Sequence, residues 1–455
     1  MKAYLVTLGC PKNLVDSEAT VTLLRRAGCS MTDSPADADL LMVSACSFLN
    51  ASWRETLEEV DRLRAFKDSP RKKLVLMGCL PKHRGEDLEG SLPWVDHFLP
   101  TGAHGRLPDL VEAWRGGEAS ERTIAGDGTD RFAAFERRDL LTPGHTAYVK
   151  VAEGCNRGCT FCAIPLIRGR QESRAFDSIV REVDGLVARG VKEVSLLAQD
   201  IVAYGDRGRK FVDLVGAVAG TGVEWIRIYY FHPAGIELEY LQRVFDHPSV
   251  VRYLEMPVQH ASTRILERMK RSHDRAHLEH LLEGLRTEIP GLVVRSEVIV
   301  GFPGETDDDF DELKAFVEEF EFDSLGIFPY SREPGTRASE LDGSIDEDTK
   351  RSRVEELSEI QQAVSFGARS RFLGTTQRVL IDREVGVGEE GFGGCRYAGR
   401  FYGQALEVDG EVFVEAGDLD VGGFVDVDIN DTGVFDLRGR PARSLQSRTA
   451  PVREE

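Results

Sequence analysis

Three cysteines, Cys155, Cys159 and Cys162, stand in a CxxxCxxC spacing inside VAEGCNRGCTFCAIPLIRG (residues 151–169), directly after an apolar run. Thiolates bind iron and zinc, and a closed structural site normally takes four ligands. No fourth cysteine or histidine lies in the loop. A cluster on three thiolates leaves one iron without a protein ligand, and an open position is what a catalytic metal site keeps for substrate or cofactor. A zinc loop completed by a distant histidine is the alternative that spacing alone leaves open. Eight cysteines in 455 residues are too few for a disulfide scaffold, and their clustering suits metal binding in a reducing compartment.

A second set is spread along the amino-terminal region. Apolar runs at 3–8, 40–43 and 74–77 end at Gly9-Cys10, near Cys46 and at Gly78-Cys79. Short apolar runs, each followed by helix-like sequence, read as a parallel sheet with helices on its faces. Ligands gather at the carboxyl ends of such strands, so three cysteines at equivalent ends can converge on a second three-thiolate site. Taken singly, each is better read as a small buried residue; taken together, their equivalent positions favour the metal reading. Cys29 and Cys395 are read as structural.

The fold class is multidomain α/β. Residues 1–118 form the amino-terminal parallel α/β sheet domain, and 119–140, Gly-rich and charged, a linker. Residues 141–371 carry strand candidates at 148–151, 193–197, 226–231, 253–258, 293–300 and 324–328. Helical stretches between them include 178–188, 238–245 and 308–320. Six repeats are too few for a closed eight-stranded barrel and suit an open partial (βα)6 barrel, with the cysteine loop on its carboxyl face. VIVGFPGE (298–305) makes a strand and glycine turn, and Thr306 caps the next helix. No GKS or GKT follows, which excludes a phosphate-binding P-loop. Gln199, Asp200, Gln259, His260 and Tyr330 fall just after strands, where single polar residues commonly brace loops; His260 is read as structural. A charged helix over 346–371 precedes strand candidates at 377–382, 400–405, 412–415 and 424–428, a small β-barrel over 372–442. Residues 443–455 read as a disordered tail.

The formal net charge of -20 argues against loose adhesion to nucleic acid and suits a basic partner. No leader pattern and no apolar stretch of bilayer length occur, so a cytoplasmic protein without membrane contact is expected.

Phe161 before the last cysteine, with the Ile-Pro and Arg-Gly that follow, makes the loop resemble that of the radical S-adenosylmethionine (SAM) enzymes, whose open iron is chelated by SAM. LGCPKNLVDSE (8–18), with Cys46 and Cys79 in matching positions, resembles the amino-terminal domain of the methylthiotransferases. The resemblance implies an auxiliary 4Fe–4S cluster on Cys10, Cys46 and Cys79, and the PKNL wording is similar to the ribosomal-protein branch rather than the transfer-RNA branch. LLAQDIVAYG, MPVQHAS and FPYSREPGTRA extend the likeness over the central domain and imply that Gln199, Gln259 and Gly301 line the SAM pocket. GQALEVDGEVFVEAGDL resembles the TRAM module, here acidic. Ser44-Ala45, where relatives carry Asn-Thr, and Ile201-Val202, where a polar Thr pair is common, depart from the pattern.

What the resemblance implies is a transferase with two 4Fe–4S clusters and SAM. The cluster on Cys155, Cys159 and Cys162 cleaves SAM to a radical that takes hydrogen from the β-carbon of an aspartate in small-subunit ribosomal protein twelve. The other cluster carries the sulfur that a second SAM methylates. Implied partners are that ribosomal protein, free or on the ribosome, a reductant such as flavodoxin or ferredoxin, and a sulfur donor. Two other readings stay open: the same chemistry on a transfer-RNA adenosine, and a non-enzymatic iron–sulfur or zinc redox sensor that cleaves no SAM.

Overall fold

Short apolar runs alternating with amphipathic stretches fold here as strand–helix units. The computed structural model describes residues 1–117, 121–124, 131, 132, 134–386, 393–415 and 417–442; the tail expected at 443–455 and part of the linker expected at 119–140 lie outside them. The chain divides into two compact units, one of Met1–Thr142, Thr146–Val223 and Ser331–Leu341, the other of Pro143–His145, Glu224–Tyr330 and the chain from Asp342 onward.

The first unit opens with β1 (Lys2–Thr7), α1 (Pro11–Arg26), β2 (Ser30–Met31), β3 (Leu40–Ala45), α2 (Asn50–Arg64), β4 (Lys73–Gly78), α3 (Cys79–Ser91), β5 (His97–Pro100) and α4 (Leu107–Gly116). The strands form one parallel sheet in the order β2-β1-β3-β4-β5. Alternate residues of β3 and β4 serve opposite faces, as period-two geometry requires. Leu41, Val43, Leu74 and Leu76 pack in one core, Leu40, Met42, Val75 and Met77 in another. The edge strands β2 and β5 are too short to stand out as apolar runs. Then come β6 (Thr146–Lys150), β7 (Ala152–Glu153), α5 (Ile164–Arg168), β8 (Glu172–Ser173), α6 (Phe176–Ala188), β9 (Glu193–Leu197), the small hairpin β10 (Gly205–Asp206) and β11 (Arg209–Lys210), and α7 (Phe211–Ala219). β6 and β9 pair in parallel, β7 and β8 antiparallel.

The second unit continues the strand–helix repeat with β12 (Trp225–Ile228), α8 (Leu238–Phe245), β13 (Tyr253–Glu255), α9 (Thr263–Met269), α10 (Arg275–Glu288), β14 (Val293–Val300), α11 (Asp307–Phe320), β15 (Ser324–Pro329) and α12 (Glu347–Ser370). β13, β14 and β15 are parallel neighbours. The strands expected at 226–231 and 253–258 stop at Ile228 and Glu255. Tyr230 and Gln259 take φ of 67° and 73°, and a left-handed backbone ends a strand. Thr306 caps α11 in a reciprocal box with Asp309. β6, β9, β12, β13, β14 and β15 are six strands alternating with helices along the chain, the number that the (βα)6 reading expects.

A small closed barrel completes this unit: β16 (Thr376–Glu384), β17 (Cys395–Phe401), β18 (Val412–Glu415), β19 (Phe424–Thr432) and β20 (Leu437–Pro441), in the order β16-β17-β18-β20-β19. The strand expected at 400–405 ends at Phe401, where the Gln404 N–H turns back to the Phe401 carbonyl at 3.1 Å. β20 escapes the pattern because two arginines, a glycine and a proline occupy four of its five positions.

Candidate metal centres

Parallel register puts the first three thiols at neighbouring strand ends. Thr7 of β1 faces Ser44 of β3, and Ala45 of β3 faces Gly78 of β4; Cys46 and Cys79 follow Ala45 and Gly78 directly. Gly9 and Gly78 have φ of 87° and 96°, a region that favours glycine, and the turns are crowded. A Cβ on Gly9 would lie 3.0 Å from the Cys46 Sγ, and one on Gly78 would lie 2.9 Å from the Ala45 carbonyl oxygen. Asn13 laces the strand ends together, its Nδ2 donating to the carbonyls of Leu8 at 2.7 Å and Ser44 at 3.0 Å. Cys46 and Cys79 are buried and Cys10 half-buried.

Electrostatics separate these thiols. Burial pushes Cys79 up to about 12, with the Cys10 and Cys46 thiolates adding to the rise. Burial, helped by Cys10, also raises Cys46. At Cys10 burial is outweighed by the positive charges of Lys12 and Arg168 and by the backbone N–H groups of Asn13 and Lys12, so its thiolate is favoured. Mutual repulsion among three thiolates is the condition that a cationic cluster relieves.

The second set lies on the loop between β7 and α5, and glycines close its base. The Gly154 φ is 79°, and a Cβ there would strike the Arg170 carbonyl and stand 2.6 Å from that of Gly169. The Cys155 N–H donates to the Gly169 carbonyl at 3.1 Å, and the Cys162 N–H to that of Cys159 at 3.4 Å. The Arg157 N–H points at the Cys155 Sγ, 3.4 Å away, and the Arg157 side chain is held by Asp200 at 2.6 Å. Burial raises Cys155, with the Asp200 charge adding to it. Ser331–Leu341 lies on this loop: the Ala338 N–H donates to the Thr160 carbonyl at 2.9 Å, and Arg337 bonds the Gly158 carbonyl. Its Glu333 also accepts from the Asn50 N–H, at the start of α2, at 2.9 Å.

The two sets touch. Cys79 packs against Ala163 and Ile167, just beyond Cys162. Arg168, at the end of the same short helix, donates to the Cys79 Sγ at 3.2 Å. Its guanidinium also bonds Glu153 at 2.6 Å and Asp16 at 3.2 Å, while Lys150 bonds the same carboxylates at 2.7 and 2.5 Å. All four charged side chains are buried. Arg168 and Lys150 hold the Glu153 carboxyl far below the usual carboxylate range despite its burial.

None of these four was singled out from sequence. Their signal was there, as Lys150 and Glu153 interrupt the buried TAYVKVAE segment, and charge inside a strand demands a partner.

Gln199 follows β9. Its Nε2 donates to Glu153 at 3.0 Å, and its Oε1 is a buried acceptor with no protein donor, an arrangement suited to a ligand ammonium group. Gln259 and Gly301 belong to the second unit, at the carboxyl ends of β13 and β14. Gln259 bridges to β14 through its N–H to the Glu297 carbonyl and its carbonyl to the Ile299 N–H, both 2.8 Å. Gly301 has φ 70°, and a Cβ there would strike Lys350. His260 is fully buried, its Nδ1 accepting from the Ser262 N–H at 3.0 Å. Tyr330 packs edge-on to Phe302. Cys29 belongs to the sheet's core, and Cys395 opens β17. Among the described residues, no three His, Cys, Asp or Glu side chains close on a point small enough for one metal ion; a multi-iron cluster spreads its thiolates more widely.

Three family models match in chain order: Uncharacterized protein family UPF0004 over residues 2–100, Radical SAM superfamily over 149–317 and TRAM domain over 373–441. Ribosomal protein uS12 methylthiotransferase RimO of Anaeromyxobacter sp. (strain K) is 38% identical, over 99% of this chain and 95% of its own. The chain belongs to the RimO family. The RimO of Geotalea uraniireducens is 39% identical over 96% of this chain and 98% of its own. Among solved structures, the radical SAM methyltransferase TsrM from Kitasatospora setae, with cobalamin and a 4Fe–4S cluster bound, matches with a TM-score of 0.54 at 15% identity. It covers 74% of this chain and 73% of that one, and the likeness is one of fold. Membership in the RimO family makes the chain a radical SAM methylthiotransferase, with SAM and 4Fe–4S clusters as cofactors.

Proposed function

We propose that this chain adds a methylthio group to the β-carbon of an aspartate in ribosomal protein uS12, with one 4Fe–4S cluster on Cys155, Cys159 and Cys162 and the other on Cys10, Cys46 and Cys79. The observation that carries the reading is the packing of Cys79 on Ala163 and Ile167, which sets a second three-thiol site beside the loop with the first. Breaking an unactivated C–H bond is beyond acid–base side chains, and bound SAM and clusters supply the radical and the sulfur while protein supplies position and shielding.

The chain's own residues have separable tasks. Gly154 and Gly169 allow the loop to fold back on itself, Asp200 steadies Arg157 beside Cys155, and the buried Gln199 Oε1 offers SAM an acceptor. In the second unit Gln259 and Gly301 are candidates for SAM contact by their place at the carboxyl ends of strands.

A protein substrate is favoured over RNA by the likeness to two RimO proteins, 38% and 39% identical over nearly the whole chain. A one-electron reductant such as flavodoxin or ferredoxin and a sulfur donor complete the reaction. No helix among the described residues is long and apolar enough to cross a membrane, in keeping with work on ribosomal protein in the cytoplasm.

The test is intact mass measurement of uS12 alongside transfer-RNA nucleosides, in cells with and without the gene. Loss of the methylthio mass from uS12 alone is the expected result; loss from a nucleoside instead would transfer the assignment to RNA.

A further inference from the structure

Arg168 is a buried cation with one hydrogen bond beyond those that neutralise its charge. Two of its contacts, to Asp16 and Glu153, neutralise it. The third runs from Nη2 to the Cys79 sulfur at 3.2 Å. Arg168 and Lys150 bring two positive charges, Asp16 and Glu153 two negative, so the four-residue network is neutral as a whole. Burial keeps water from screening it. The carboxylates fix the planar guanidinium, and a fixed donor aimed at a ligand sulfur is the geometry by which an outer group tunes a metal centre.

Hydrogen bonds to cluster sulfurs and nearby net charge are among the determinants of iron–sulfur reduction potential. A donor and positive charge at a thiolate favour the more reduced, more negative cluster.

We propose that Arg168 is a positioning residue that tunes the cluster on Cys10, Cys46 and Cys79, raising its reduction potential through the hydrogen bond to the Cys79 sulfur. The inference rests on the assignment of those three cysteines as cluster ligands. Because Arg168 ends the helix that follows Cys162, the loop holding one set of thiols supplies the donor to the other set.

The charge count gives opposite signs for two substitutions. Arg168→Gln removes a positive charge and leaves the network at net negative, so the potential falls. Asp16→Asn leaves the network at net positive with Arg168 still bonded to Glu153 and Cys79, so the potential rises. Asp16→Asn tests the charge of the network, and Arg168→Gln tests charge and donor together.

The experiment uses the full chain carrying Cys155→Ala, Cys159→Ala and Cys162→Ala, so that one cluster remains, reconstituted anaerobically and titrated with dithionite under EPR. The expected result is a midpoint shifted down by Arg168→Gln and up by Asp16→Asn, with iron content unchanged. Equal midpoints in all three proteins, or shifts of the same sign, would overturn the proposal. If Arg168→Gln fails to hold a cluster, Arg168→Lys, which keeps the charge and loses the planar fork, takes its place, and a midpoint equal to the parent's overturns the proposal. If the background protein binds no iron, the ligand assignment fails first and the proposal falls with it, an outcome distinct from a cluster whose potential ignores both substitutions.

Discussion

Two sets of three thiols lie in the first unit, and they are built in opposite ways. Cys10, Cys46 and Cys79 come from three distant segments, and the register of a parallel sheet brings them together. Cys155, Cys159 and Cys162 come from one loop, shaped by glycines at its base and covered by Ser331–Leu341. The first geometry is as firm as the sheet itself, because moving one thiol means shifting a strand. The second is local, so it depends on a few backbone angles and a few cross-loop hydrogen bonds. Rigid placement suits a site that delivers a group, and a compact loop suits one that must also admit a small cofactor at an open iron.

The sharpest way to break this comparison is to remove one thiol from each set. Cys155→Ala should abolish SAM cleavage in an anaerobic assay, by orders of magnitude, and methylthio transfer with it. Cys10→Ala should abolish transfer while reductive SAM cleavage continues. Equal losses of cleavage in both would mean that the two sites do not divide the work.

Next in size is glycine chemistry. Gly154→Ala meets both a left-handed backbone and carbonyl oxygens, a strain on the order of 1–3 kcal/mol before the clash is counted. Loop iron should be lost, while the amino-terminal cluster keeps its EPR signal. Gly78→Ala should do the reverse and also lower the urea midpoint of unfolding, because its obstacle is the Ala45 backbone in the sheet.

Asn13→Ala should be milder. It deletes two donations to the strand-end carbonyls and costs about 1–3 kcal/mol. Amino-terminal cluster occupancy should fall in iron analysis with loop occupancy retained.

The smallest effect on either cluster lies outside both sites. Burial, with Arg271 and His277 nearby, pushes His273 down to about 3. Its unfolded value is about 6.5, so the unfolded chain binds the extra proton in between. The stabilisation is complete above about 6.5 and is lost as pH falls toward 3. The urea midpoint should drop across that window, less steeply in His273→Asn.

Much of this was readable in advance. The runs ending at Gly9-Cys10 and Gly78-Cys79 gave a parallel sheet because short buried strands with helical spacers have few other solutions. The Thr306 cap and the strand Val293–Val300 were legible for the same local reasons. What stayed hidden was long-range pairing of charge. Helix α1 buries Lys12, Asn13, Asp16 and Glu18 alongside Val15, Ala19, Leu23 and Leu24, so charged residues share its buried surface with the apolar stripe. The partners lie far along the chain: Lys150 and Arg168 for Asp16, Arg138 for Glu18. Periodicity detects apolar faces, whereas a buried ion pair becomes visible only when both halves are in place. Breaking one such pair costs about 3–5 kcal/mol, which is why the hidden part is not a small correction. β20 was missed for a related reason, since Arg438 and Arg440 alternate with Leu437 and Gly439 in a strand whose apolar content is low.

The measurement that bears most directly on two separate centres is iron and acid-labile sulfide per chain in two anaerobically purified variants. One carries alanine at Cys10, Cys46 and Cys79, the other at Cys155, Cys159 and Cys162. Each should retain one cluster's worth, half of the parent content, with distinct EPR signals. Full content in the first variant, or none in the second, would contradict the existence of an independent amino-terminal centre.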